Sequence, residues 1–475
     1  MRPIAAILGL TVFAHGLLIP WLGFYWDDMP KSWFLHLLGP MGFWKVYQVD
    51  RPFLPWIYML TTPVIGESPL GWQLLELLAR GITAVGLWWV VCLIWPRRRG
   101  LALLTGLFFV VYPGFLQGPI SLIYSHYFLL YALFLASLGC SVKALRNPAR
   151  RGLWTGAAIT ALTLVLFSFE YLVGLELVRP LVIGLVLRQS GLRGRRLLTR
   201  TVRLWAPYAV VFIVYLLWRS LVVQFPTYEP ELFVGLAVAP VAKLGGLLTR
   251  VGVDLYLGSI GSWLNALRPP DLSIVGRAGL AVMGLAGAGA LAVVLWGLLP
   301  YRTPSARSAD GDPRADLAEA AALGGWSLIV AGMPVWTTLL PLRLVFPWDR
   351  LTLPFMLGAS LLAAAGLLLL LRDRLAGIGV AAILLSLGAA FHASNAMAFV
   401  RDWDRYTSFI SQLTERVPGL EPGTSLLMDD IPLTYSTDNS LTAPVNWAYA
   451  PNLKSTHMPY LVVSIPMRLG GSLTS

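Results

Sequence analysis

The sequence predicts an all-α polytopic membrane protein with about eleven transmembrane helices, and three observations carry that prediction. Of its 475 residues, 57% are hydrophobic and 13% charged, against about 25% charged in an average soluble protein. Mean hydropathy is +0.69. Apolar stretches of about 20 residues, the length that crosses a bilayer core, recur along the whole chain, and basic residues cluster between them. A soluble fold of this length lacks the polar side chains to cover its surface, which excludes an ordinary cytosolic enzyme, a disordered chain and a small secreted scaffold. Cys92 and Cys140 both sit in apolar runs and make no disulfide framework or zinc site. The net charge of +12 reads as a topology signal rather than a nucleic-acid footprint.

The stretches are 4–24, 70–95, 101–118, 121–141, 153–169, 172–187, 204–222, 274–299, 323–341, 351–371 and 376–398. The first has Arg2 ahead of an apolar run but no small-x-small pattern before Trp21, so it is read as an anchor and not a signal peptide. The run 153–187 is continuous; it is one long helix, or a hairpin if Glu170 marks a turn, and the hairpin gives the count of eleven. Orientation follows from the short basic loops. Arg97, Arg98 and Arg99, the segment from Lys143 to Arg151, and the run holding Arg188, Arg193, Arg195, Arg196, Arg200 and Arg203 all fall on one side. That side is the cytoplasm, with the N-terminus. The C-terminus is then external or periplasmic, and the chain is a multi-pass protein of the plasma (inner) membrane.

This topology divides the chain into a transmembrane domain, 1–398, and a small external C-terminal domain, 399–475, with short strands over Thr424–Met428 and Tyr460–Ile465. The outer side also holds the loop 25–69, the loop 223–273 and the turn 342–350. The inner loop 300–322 reads as flexible linker. No internal repeat is visible, which weakens a transporter built on inverted repeats.

Charge at the outer boundary is the informative feature. Asp27 and Asp28 follow Tyr25 and Trp26 where the first span leaves the membrane; such carboxylates are fully solvated, or they act as a base or hold a cation. Residues 30–49 alternate apolar and polar groups and predict two short interfacial helices broken at Gly39-Pro40. Asp50-Arg51-Pro52 then returns charge to the boundary, and 53–66, interrupted by Pro55 and Pro63, reads as re-entrant or interfacial. Glu170 interrupts an apolar run and either binds an acceptor or pairs with an arginine. Tyr124, His126 and Tyr127 follow an outer turn rich in Pro and Gly; they line a vestibule or form an aromatic belt. Glu176 and Arg179, three apart, read as a structural pair. The tail aspartates, Asp402, Asp404, Asp429 and Asp430, read as solvated. No histidine pair has metal-ligand spacing, and no P-loop, dinucleotide fingerprint or HExxH motif is present.

The order of a first span, the acidic pair Asp27-Asp28 at its outer end, two interfacial helices, the Arg51-Pro52 step and a polytopic body resembles the GT-C superfamily of membrane glycosyltransferases. Protein O-mannosyltransferases and aminoarabinose transferases belong to it. The resemblance is strongest over 1–95 and extends loosely to Trp348-Asp349-Arg350. The Trp-Trp-Asp type motif of its oligosaccharyltransferase branch is absent. The resemblance implies a sugar donor on polyprenyl phosphate, Asp27 or Asp28 as general base, and an outer-side glycan or protein acceptor in the cell envelope. Its donor phosphate would be met by Arg350 first and Arg51 second, since guanidinium suits phosphate geometry. Glu170, His126, Tyr124 and Trp26 would bind substrate. No cofactor is expected; a divalent metal stays open, with two carboxylates too few for a dedicated site. The competing reading is a transporter or flippase for a lipid-linked substrate, which calls for charge near the midplane of several spans. A third is a non-catalytic subunit of glycan assembly.

Overall fold

Long apolar runs become long helices because a helix satisfies its own backbone groups where no water can. The computed structural model describes residues 1–223, 232, 240–270, 272–302, 312–371, 373–429, 431, 433–455, 457–465 and 468. Among them, nine helices are long and apolar enough to cross a membrane, and the protein is a nearly all-α, multi-pass membrane protein.

Helix α1 (Arg2–Thr11) continues through a π turn at Val12–Gly16 and a 3-10 turn at Ile19–Trp21, and stops where Leu22 turns extended. Two short helices follow, α2 (Asp28–Leu38) and α3 (Gly42–Tyr47), separated by Gly39 at φ 62°. The break falls where Gly39-Pro40 predicted it. Helix α4 (Pro55–Ile65) fills the stretch read as re-entrant, and Gly66 at φ 64° ends it. The bundle is then built from α5 (Pro69–Ile94), α6 (Arg99–Val110), α7 (Ser121–Arg146), α8 (Arg151–Ser168), α9 (Val178–Gln189) and α10 (Gly194–Leu221). Helices α11 (Pro240–Tyr256), α12 (Ser262–Ala266), α13 (Leu272–Leu298), α14 (Pro313–Ala331), α15 (Met333–Thr338) and α16 (Met356–Leu370) follow. Helix α17 (Arg374–Arg416) leads to strand β1 (Ser425–Met428), helix α18 (Asp438–Tyr449) and strand β2 (Leu461–Ser464). The main pairings are α5 with α7, α13 with α17, α14 with α16 and α7 with α8.

Four expectations change. The span expected over 101–118 is helical only to Val110; the rest, carrying Pro113, Gly114 and Gly118 and followed by Pro119, is a buried irregular segment. Proline removes a donor and glycine loosens the backbone, so the helix cannot continue. The stretch 172–187 is a 3-10 helix, Glu170–Leu177, joined to α9, and the chain breaks at Phe169 in extended conformation. The inner loop is helical from Pro313, where Asp312 caps α14 through the Arg314 N–H at 2.9 Å; its residues 303–311 lie outside the described residues. The boundary at 398 falls inside the 43-residue α17, because the polar residues after Phe399 change the helix's surroundings and not its backbone. Most of the loop 223–273 up to Pro240, and Asp430, also lie outside the described residues.

The loops sort to two ends of the bundle. At one end Arg98 Nε meets Asp316 at 2.7 Å, Arg188 pairs with Glu319, and the Arg146 guanidinium donates to the Ile94 carbonyl at 3.3 Å. At the other lie the Asp27–Arg51 segment, the 111–120 segment, Glu170 and the 346–350 turn. Both α6 and the Glu170–Gln189 stretch run from one end to the other. The C-terminal unit packs on the second end: β1 and β2 pair in parallel, Ser425 opposite Leu461, and α18 covers them and packs against α2. The two short strands match the expected ones.

Candidate active site

The two adjacent carboxylates separate completely. Asp28 opens α2 and is 0% exposed. Its Oδ2 accepts the Leu122 N–H at 3.0 Å and its Oδ1 the Ile123 N–H at 3.1 Å. These donors belong to the first turn of α7, which has no intrahelical partners for them. Burial pushes the Asp28 carboxyl up to about 8, against the pull of the Leu122 N–H and the Lys31 charge. Asp27 keeps 45% of its side chain exposed, with Lys31 Nζ at 3.7 Å.

Trp26 precedes them at φ 47°, a conformation costly for a residue with a Cβ. Its N–H donates to the Tyr435 carbonyl at 2.9 Å, and its ring stands edge-on to Phe346 at 5.3 Å. The Arg350 guanidinium lies 4.9 Å from the Trp26 ring and 5.6 Å from that of Trp348, a cation–π arrangement. Asp349, its neighbour, turns inward. It accepts the Leu116 N–H at 3.0 Å and the Gln117 amide at 2.5 Å. Gln117 also donates to the Pro347 carbonyl at 2.9 Å and accepts the Tyr124 hydroxyl at 2.7 Å. The broken segment after α6 thus holds the turn that carries Arg350.

Arg51 and Glu170 meet as a bidentate ion pair, with Arg51 Nε to Oε2 at 3.0 Å and a second contact from Nη2 to Oε1. Arg51 Nη1 also reaches Asp50 Oδ2 at 3.0 Å. Tyr127 lies within electrostatic reach of Arg51, Glu170 and Asp27 and packs on Phe169, ring centroids 4.1 Å apart. His126 is fully buried beneath, with Nδ1 against the Leu122 carbonyl at 2.6 Å, Nε2 against the Thr61 hydroxyl at 2.8 Å and its ring on Tyr58 at 3.8 Å.

Of the residues singled out from sequence, Trp26, Asp27 and Arg350 therefore come together at the surface. Arg51 and Glu170 pair beside them, Tyr124 links to the 346–350 turn through Gln117, and Asp28 and His126 lie underneath. Sequence reasoning missed Asp349, Gln117 and Asp402. Asp402, expected to be solvated, is 3% exposed and accepts the Thr434 and Tyr435 N–H groups at 2.7 and 3.0 Å. That fixes the loop on which Trp26 rests. Its position in a run of alternating charges gave no signal of this. Among the described residues no group of three or more His, Cys, Asp or Glu is placed to hold a metal ion; Asp27 is the carboxylate of the pair left to meet one. No protein-family model matches the chain, and no curated protein matches its sequence. Chemically, the arrangement offers a half-exposed carboxylate next in sequence to the aromatic ring against which a guanidinium is braced.

Proposed function

We propose that this protein is a membrane glycosyltransferase of the GT-C kind, moving a sugar from polyprenyl phosphate to an acceptor hydroxyl on the outer side of the plasma membrane. The observation that supports it most is the split of the acidic pair: Asp27 is exposed next to Trp26 and its Arg350, while Asp28 is committed to the first turn of α7. In this reading Asp27 takes the acceptor proton as the oxygen attacks the anomeric carbon, a contribution of about 10²–10⁴-fold. Arg350, braced against the Trp26 ring, meets the departing lipid phosphate through charge-assisted hydrogen bonds. A single displacement inverts the anomeric centre. Arg51, tied to Glu170, shapes the site and adds positive potential to it.

The same reading counts eleven crossings, with α6 and the Glu170–Gln189 stretch as the two short ones. It places the basic end in the cytoplasm and α2 and α3 in the outer interface.

The transporter reading has one observation in its favour: buried ion pairs within the bundle, Glu76–Arg80 at 2.7 Å and Glu176–Arg179 at 2.7 Å. Each pair joins residues one turn apart, so each neutralises itself within its own stretch, as structural pairs do. The deciding experiment offers purified protein in lipid a panel of polyprenyl-phosphate sugars and follows release of polyprenyl phosphate, with lipid flipping measured in parallel vesicles. Release with one donor supports the transferase. Flipping without release with any donor replaces it with the transporter.

A further inference from the structure

We propose that His36 is a proton-dependent latch between the C-terminal unit and the helices of the first loop, closed when its imidazole is protonated and open when it is neutral. The imidazole ring has two polar partners. Nδ1 faces the Glu67 carboxylate, 3.1 Å from Oε1 and 3.2 Å from Oε2, and Nε2 faces the Pro451 carbonyl at 3.0 Å. An ionised carboxylate and a backbone carbonyl both only accept. A neutral imidazole carries one N–H, so one of these contacts would set lone pair against lone pair. The imidazolium, with two N–H groups, satisfies both. The ring also stacks on Trp447, centroids 4.6 Å apart and 26° from parallel, where a cationic ring gains from the indole face.

His36 and its partners come from three places. His36 lies in the last turn of α2, Glu67 in the turn before α5, and Trp447 and Pro451 at the end of α18 and just beyond it. One proton therefore ties the C-terminal unit to both elements of the first loop. Glu67 is the charged group acting on the ring; the C-terminal side presents an indole and a carbonyl. The Pro451 carbonyl raises the imidazole's affinity for its proton most, burial opposes it, and the Glu67 hydrogen bond and charge add to the rise, so the net shift is above the ordinary value. A folded pKa raised above the unfolded one means that the latch contributes fully below about pH 6.5 and is lost as pH rises through the folded value. This inference stands independently of the transferase reading.

The test is hydrogen exchange of the full chain in lipid nanodiscs, read over residues 445–453 from about pH 5.5 to about pH 8.5 and corrected for intrinsic exchange. The expected result is protection that falls with rising pH, by about tenfold for each unit by which the latch raises the pKa. Glu67→Gln moves the midpoint down. His36→Gln removes the pH dependence, and His36→Arg, a permanent cation with several donors, keeps the segment protected throughout. Protection that is flat in the wild type, or a pH dependence that survives in His36→Gln, overturns the proposal.

Discussion

Consecutive residues on a helix point about 100° apart, so Asp27 and Asp28 cannot share one environment once α2 packs against α7. That an acidic pair closes the first span was legible in the sequence. Which member stays exposed was not, because Asp28's partners lie 94 and 95 residues away and no local pattern announces them. The same holds for Asp349 and Arg350, which look like one charged turn and in fact face opposite ways. The Asp28 carboxyl, raised to about 8 by burial, binds its proton more tightly folded than unfolded, so its contribution falls as pH rises from about 4, the unfolded value, through that folded value. Thermal unfolding midpoints in detergent should therefore drop across this interval in the wild type. Asp28→Asn, which keeps an oxygen acceptor but cannot ionise, should flatten the drop. An equally steep drop in both would assign the pH dependence elsewhere.

Among elements, the long spans were legible because a run of about 20 apolar residues has few other uses. The breaks within the shorter apolar runs were not, since hydropathy averages over the prolines and glycines that end α6 at Val110 and does not register the 3-10 winding of Glu170–Leu177. Packing also depends on what hydropathy cannot see. Helices α14 and α16 cross at Gly324 and Gly358, where an added Cβ on Gly358 would stand 2.7 Å from the Gly324 carbonyl and 2.7 Å from the Leu328 nitrogen. Backbones approach this closely only through small residues. Gly358→Val should cost about 1–3 kcal/mol or more, visible as a lower unfolding midpoint. A second test concerns Glu176 and Arg179. Both are 0% exposed, and the guanidinium is also bonded to Ser137 and Ser141. Arg179→Ala should destabilise by about 3–5 kcal/mol by stranding Glu176, whereas Glu176→Leu combined with Arg179→Met should recover most of that loss. If the double variant loses transport of a lipid substrate while remaining folded, the pair is functional and not structural.

For the molecule as a whole, charge asymmetry between loops correctly grouped Arg98, Arg146 and Arg188 at one end. The contacts of Arg98 and Arg188 with α14 close that end. The docking of the C-terminal unit was illegible, because it rests on single residues, Asp402, His36 and Tyr435, scattered over almost 400 positions. The orientation in the membrane is testable with Cys92 and Cys140 replaced and one cysteine introduced at Gln189 or Ser455. An impermeant thiol reagent applied to intact cells should label Ser455→Cys alone. Labelling of Gln189→Cys alone would invert the topology and move the candidate site to the cytoplasm. The proposed mechanism gives base catalysis to one exposed carboxylate at the Trp26–Arg350 end. It is tested most directly by comparing Asp27→Asn and Asp28→Asn in lipid, each folded, for release of polyprenyl phosphate from the donor the wild type uses. Asp27→Asn should lose about 10²–10⁴-fold and Asp28→Asn much less; full turnover in Asp27→Asn would show that Asp27 is not the base.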